Sequence, residues 1–187
     1  MVDRAQLTGL RRITEVDAEL VAAFLSSLPD GDRTFFKEDT DVAAVRRWGA
    51  DDRIMRWLLL GPDDRPQAYL AIIPGVGWSA HVGELLLIVG AEHRRRGLGR
   101  GLARFGLLEG FRLGLKKLTI EVVADKDGDL QMFTAIGFDA EAILKNQIID
   151  RDGELHDLVV LAHDIEAMRD DMELLGLDDA VGIGEEQ

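Results

Sequence analysis

The chain has 187 residues, enough for one domain with a sizeable core, and at 47% hydrophobic and 30% charged it has an ordinary globular composition. Its formal net charge of −13 argues against general nucleic-acid binding, which needs a broad basic surface. Cysteine is absent, so disulfides, thiolate metal sites and a cysteine acyl relay are excluded.

In chain order, the opening MVDRAQLTGLRR lacks the apolar core of a signal peptide. No later run reaches membrane-spanning length, so a cytoplasmic protein without membrane association is expected. Leu7–Thr14 reads as a first strand. Val16–Leu28 carries Leu20, Val21, Phe24, Leu25 and Leu28 at helical spacing, with Asp17 and Glu19 in the first turn. Pro29–Asp32 breaks that helix; Phe35 and Phe36 follow in a loop, capping the core or lining a substrate entrance. A second helix is expected over Thr40–Trp48, with Val42, Val45 and Trp48 inward. Ile54–Leu60 and Gln67–Ile73 flank the turn-rich GPDDRP and read as a hairpin. Gly75-Val76-Gly77-Trp78 then leads back into the sheet, with Trp78 read as a packing residue.

The stretch Gly83–Arg104, GELLLIVGAEHRRRGLGRGLAR, carries the chemistry. A short apolar run, Leu85–Val89, suits a buried strand. A basic loop with Arg94, Arg95 and Arg96 follows, then Gly97, Gly99 and Gly101 at the start of a helical pattern with Leu98, Leu102, Phe105 and Leu108. Unpaired N–H groups and the dipole make a helix start attractive to anions, arginines add full charge, and glycines let a ligand approach the backbone. Strand, basic glycine-rich turn and helix together are suited to a phosphorylated ligand. The helix should run to about Gly114, with Gly106, Gly110 and Gly114 on one face packed closely on the sheet. Leu118–Ala124 is the next strand, parallel to the central one because a helix-length crossover joins them. In it Leu118, Ile120 and Val122 share one face, and Thr119, Glu121 and Val123 the other. A short helix over Asp129–Ile136 should end at Gly137, and strands from Phe138 to Asp150 and Leu155 to His163 should form a hairpin about Arg151–Glu154.

Arg94-x-x-Gly97-x-Gly99 after an apolar strand resembles the acyl-CoA pyrophosphate motif of the GNAT acetyltransferase superfamily. From Leu87 to Phe138 the spacing is similar to that of the branch that acetylates ribosomal-protein N-termini. The resemblance implies a GNAT-like α/β (α+β) fold: a mixed, mostly antiparallel sheet with a central βαβ acyl-CoA-binding unit and flanking helices. It implies acetyl-CoA as co-substrate without a metal. Leu87, Ile88 and Val89 would bond the pantetheine, while Arg94, Arg95, Arg96, Gly97, Leu98, Gly99 and Arg100 would form the turn around the diphosphate. The branch's general-base glutamate falls on Glu121. Its general-acid tyrosine falls on Phe133 and its CoA-contacting asparagine on Lys126, so both of those groups are missing.

Acyl transfer to an amine requires a base for the ammonium proton, stabilisation of an oxyanion and protonation of the leaving thiolate. Glu121, within an apolar strand where desolvation would raise a carboxyl pKa, is the first candidate base; Glu84, at the mouth of the central strand, is the second. Backbone N–H groups of Leu87–Val89 would suit the thioester carbonyl. His81, His93, His156 and His163 lack the helix spacing of a zinc site, although His93 lies close enough to the arginines to touch phosphate. The expected activity is direct acetyl transfer from acetyl-CoA to a primary amine on a small molecule or protein, with a non-catalytic acyl-CoA-binding or regulatory module as the alternative. Residues 1–163 would form the acetyltransferase domain. Residues 164–187 would form an amphipathic helix and acidic tail, with Ile165, Met168, Met172 and Leu175 as its apolar stripe. That stripe can dock on its own domain or on a second copy; the sheet edge left by the preceding hairpin favours a homodimer.

Overall fold

Seven strands form one sheet in the computed structural model, which describes residues 7–33 and 36–167. They are β1 (Leu10–Arg12), β2 (Met55–Leu60), β3 (Pro66–Pro74), β4 (Val82–Val89), β5 (Lys117–Val123), β6 (Asp139–Ile149) and β7 (Leu155–Asp164). The helices are α1 (Ala18–Ser27), α2 (Asp30–Arg33), α3 (Val42–Ala50), α4 (Leu98–Arg112) and α5 (Asp127–Thr134). The spatial order is β1-β2-β3-β4-β5-β7-β6, antiparallel at every step except β4 beside β5. This is the expected mixed, mostly antiparallel sheet, and α4 is the crossover that makes the one parallel pair. Among the described residues, no helix is long and apolar enough to cross a membrane.

Both faces of the sheet are covered, which is why β3 and β4 read as continuous apolar runs rather than alternating ones. Leu70, Ile72, Leu85, Leu118, Ile120 and Val122 pack toward Leu102, Leu107 and Phe111 of α4. Leu58, Tyr69, Ala71 and Ile88 pack on the other side toward Val21 and Leu25 of α1 and Val45 and Trp48 of α3. Phe36 caps that second core against Tyr69, with ring centroids 5.8 Å apart. Phe35 and the tail beyond Ala167 lie outside the described residues. Ile165, the first residue of the tail stripe, is fully buried in the α4-side core.

Several local expectations change. The first strand shortens to β1, and Pro29 starts the brief helix α2 instead of a plain break. Leu20 and Val42 are more than a third exposed, because the buried stripe of α1 runs through Ala18, Val21, Ala22 and Leu25 and that of α3 through Ala44, Val45 and Trp48. Trp78 is not a packing residue: it is 94% exposed on the loop between β3 and β4.

The glycines of α4 divide into two roles. A Cβ on Gly106 would stand 2.7 Å from Leu85 Cδ1, and one on Gly110 would stand 2.9 Å from both Leu118 Cδ1 and Ile165 Cδ1. These two positions let α4 sit close over β4 and β5. Gly114 has open space around it and instead ends the helix with φ +71°. Its N–H donates to Phe111 O, and Leu115 N–H donates to Gly110 O, the paired bonds of a Schellman cap. The helix-propensity gain of Gly106→Ala, about 1 kcal/mol, should be outweighed by overpacking against buried Leu85, which costs about 1–3 kcal/mol. Urea denaturation should show a lower midpoint at unchanged slope.

Candidate active site

The parallel ladder between β4 and β5 is short. It joins Val82 to Lys117, Gly83 to Leu118 and Glu84 to Thr119, and then stops. Beyond that point β4 stays paired with β3 as far as Val89, while β5 stays paired with β7 through Val123. The two strands therefore separate, and their facing backbone edges lose each other as hydrogen-bond partners. A cleft of about 560 Å³ fills the gap. Leu85–Val89 forms one wall, Ile120–Val123 the other, and Lys126, Gly128, Asp129, Met132 and Phe133 close it from α5 and the turn before it.

The basic turn stands at the wide end. Arg95 and Gly97 both adopt left-handed backbone, with φ 58° and 84°, and α4 begins at once after them. For a non-glycine residue this conformation costs roughly 1–2 kcal/mol, so the turn holds Arg95 against its own preference. Among the described residues, no protein acceptor takes the N–H groups of Arg95 through Arg100. Consecutive free N–H groups at a helix start form a concavity suited to an anion. A Cβ on Gly99 would stand 3.2 Å from Met132 Sδ, a close contact with another residue of the cleft lining. The buried Nδ1 of His93, which also lines the cleft, has no hydrogen-bond partner among the described residues and so offers a polar atom a ligand could satisfy.

Of the residues expected to hold a phosphorylated ligand, Leu87, Ile88, Val89, Arg94, Arg95, Gly97, Leu98, Gly99 and Arg100 line this one cleft; Arg96 is exposed beside it. Arg94 remains exposed but is engaged by the protein itself. Its Nε donates to Val89 O at 3.1 Å and its guanidinium pairs with Asp32 of α2, so it ties the turn to β4 and to the opposite layer.

The two candidate bases meet at the vertex of the gap. Glu84 and Thr119 are the last paired residues, and Glu121 lies two residues further along β5 on the same face of the sheet. Glu121 lines the cleft, and its environment is not the desolvated one expected from its strand: the side chain is 30% exposed and ion-paired. Lys37, from the α2–α3 connection, places Nζ 2.9 Å from Glu84 Oε1 and 3.0 Å from Glu121 Oε2. Burial disfavours the lysine's charge, but the hydrogen bonds its ammonium donates to both carboxylates outweigh it and leave the Lys37 pKa raised. Little in the chain marks Lys37 beyond its position beside Phe36, in the loop that can line a substrate entrance.

Phe133 is buried in the α4-side core and stacks edge-on against Phe138 at 5.5 Å, so no proton donor stands at that position. Lys126 caps the start of α5 at the cleft edge. His156 and Asp157 point apart, as adjacent strand residues must: His156 bonds Asp150, and Asp157 pairs with Lys145. Asp150, Glu154 and His156 come within 4.8 Å of one another at the β6–β7 turn, outside the cleft lining.

A family model, Acetyltransferase (GNAT) family, matches residues 13–138. The chain belongs to that family. It is thus an acyltransferase of the GNAT type, a family that uses acetyl-CoA as co-substrate. Solved structures of similar fold include a putative phosphinothricin N-acetyltransferase, at TM-score 0.72 and 18% identity over 83% of this chain and 97% of that one. A point mutant of spermidine N-acetyltransferase SpeG from Vibrio cholerae matches at TM-score 0.72 and 17% identity, over 87% and 95%. A GNAT acetyltransferase from Streptococcus pneumoniae matches at 0.71 and 16%, over 83% and 98%. A comparison with curated protein sequences returns no match.

Because Phe133 fills core space as well as the cleft wall, Phe133→Ala should act through packing. The expected loss is about 3–5 kcal/mol of stability, read from urea denaturation, whereas Phe133→Tyr should keep most of it.

Proposed function

We propose that this GNAT protein transfers an acetyl group directly from acetyl-CoA to a primary amine. The observation that carries this reading is the continuity of the cleft, which links the free N–H groups of the basic turn to Glu121 at the vertex. In this reading the N–H groups of Arg95–Arg100, with the exposed arginine side chains, hold the diphosphate. The unpaired edge of Leu87, Ile88 and Val89 bonds the pantetheine. That course brings the thioester to the narrow end of the gap, beside Glu121.

Glu121 takes the acceptor's proton, directly or through water, and Glu84 holds the ammonium beside it before transfer. The way both carboxylates hold the Lys37 ammonium supports a cationic amine as acceptor, since Nζ is chemically the group such a substrate would present. Nothing at position 133 can protonate the thiolate, so the leaving sulfur takes its proton from water; a CoA thiolate is a good enough leaving group to permit this. Small amines are acted on by the spermidine enzyme named above, and a small cationic amine suits two acids at one vertex.

A non-catalytic acyl-CoA-binding module is the second reading, favoured by buried Phe133 and by the occupation of both acids by Lys37. Thiol release from acetyl-CoA over a panel of amines separates the two, because a module binds acetyl-CoA and releases no thiol with any acceptor.

Two variants test the assignments. Gly99→Glu places a carboxylate against the diphosphate, and like-charge contact costs several kcal/mol. Calorimetry should show CoA affinity falling on the order of 100-fold with the circular dichroism of the fold unchanged. An unaltered affinity would move the cofactor site elsewhere. Glu121→Gln should lower kcat on the order of 100-fold or more while CoA binding stays as in the parent. An unimpaired variant would shift the base to Glu84 or solvent.

A further inference from the structure

Lys37 is an unusual occupant of the vertex. Its ammonium is held by two acids from two different strands, one of which lines the acetyl-CoA cleft. Stability does not explain the arrangement, because the lysine side chain is 57% exposed and exposed ion pairs contribute only about 0–1 kcal/mol. Nor is the segment short of other anchors. Phe36 packs on Tyr69, and Glu38 turns away to pair with buried Arg56 at 2.7 Å. Those two neighbours fix the backbone on either side of Lys37 and leave its side chain aimed at Glu84 and Glu121. Three of the other lysines are engaged elsewhere: Lys116 with Glu166, Lys117 with Glu141 and Lys145 with Asp157. Lys126 stands exposed at the far edge of the cleft, at the start of α5.

We propose that Lys37 is an internal acetyl acceptor: with acetyl-CoA in the cleft, its Nζ is acetylated by the protein's own site. The proposal rests on the reading of the cleft as an acetyl-CoA site. In the step, Glu121 accepts a proton from the Lys37 ammonium and passes it to solvent. The freed amine lone pair attacks the thioester carbonyl carbon, forming the amide C–N bond. The attacking nitrogen loses its second proton to solvent as the C–S bond breaks with its electron pair on sulfur. The CoA thiolate takes a proton from water, so one acetyl-CoA is consumed and one net proton released for each lysine modified. The product amide carries no charge and cannot pair with either carboxylate. Acetylation therefore releases Glu84 and Glu121 to an external ammonium, and the unmodified lysine competes with such substrates for the same two acids.

The titratable groups facing Nζ are Glu84 of β4 and Glu121 of β5, and together they hold the lysine charged. A charged ammonium is not a nucleophile, so labelling should be slow at neutral pH and quicken as pH rises. The test incubates the full chain with acetyl-CoA and no added amine, then follows intact mass and maps the peptides. One acetyl group is expected on the peptide carrying Lys37, with a half-time independent of protein concentration, as a reaction within one molecule requires. The label should vanish in Lys37→Arg, and Gly99→Glu should lose it together with CoA binding. The same protein is assayed in parallel for thiol release with added amines. Labelling spread evenly over Lys116, Lys117, Lys126 and Lys145 would be simple chemical acetylation and would overturn the proposal. So would turnover of added amines with Lys37 left unlabelled, an outcome that leaves the proposed activity standing. Binding of acetyl-CoA with neither label nor thiol release would instead remove the proposed activity, and this inference with it.

Discussion

The site depends on where one ladder of hydrogen bonds ends. β4 and β5 are parallel neighbours for only three residue pairs, and each then keeps faith with its antiparallel partner on the other side. Antiparallel pairing is somewhat stronger per residue than parallel pairing, so a twisted sheet that must open somewhere opens at its one parallel seam. An open seam leaves backbone N–H and C=O groups without strand partners inside the molecule, and such groups need to be satisfied. An extended ligand with amides of its own can act as the absent strand. The apolar walls from Leu85 to Val89 and from Ile120 to Val123 keep the gap shaped for it.

Charge is distributed to match. The protein is strongly acidic, yet five arginines fall between Arg94 and Arg104, at the wide end of the seam. One of them is structural: Arg94 is spent on Val89 O and Asp32 and fixes the turn, while Arg95, Arg96 and Arg100 remain exposed around the free N–H groups. The strained backbone at Arg95 is the cost of aiming those groups together. At the narrow end the sign reverses, with two carboxylates around one ammonium. The free N–H groups and arginines favour an anion at one end, and the two carboxylates favour a cation at the other. Close seating of α4 through Gly106 and Gly110 holds the two ends in register, since that helix carries the turn at its start and packs on both seam strands along its length.

Much of this was legible in the chain. Alternation in Leu118–Val123 puts Leu118, Ile120 and Val122 on one face, which the structure packs into the α4-side core, and Glu121 on the other, and the glycine-rich turn marks the start of α4. Those features are local, set by residues within one or two turns of each other. Pattern and structure part where the environment is made by distant segments. An apolar strand predicts a desolvated Glu121, but its surroundings come from Lys37 and the open seam. Spacing groups Gly114 with Gly106 and Gly110, but the helix ends at Arg112 and gives Gly114 a capping role instead. Residue type predicts packing for Trp78, and an exposed loop overrules type.

The sequence by itself determined the order of strand, basic turn and helix, the parallel relation of the flanking strands and the absence of a hydroxyl at position 133, because each follows from short-range pattern or residue identity. Only the tertiary structure decided that the β4–β5 ladder stops at Glu84 and Thr119, that Arg94 bonds Val89 O and Asp32, and that Lys37 reaches Glu84, 47 positions away, together with Glu121. The reason is physical. Periodicity reports which face of an element is buried, but a hydrogen bond or ion pair between remote segments is fixed by how packed layers bring them together. No pattern within either segment encodes that distance.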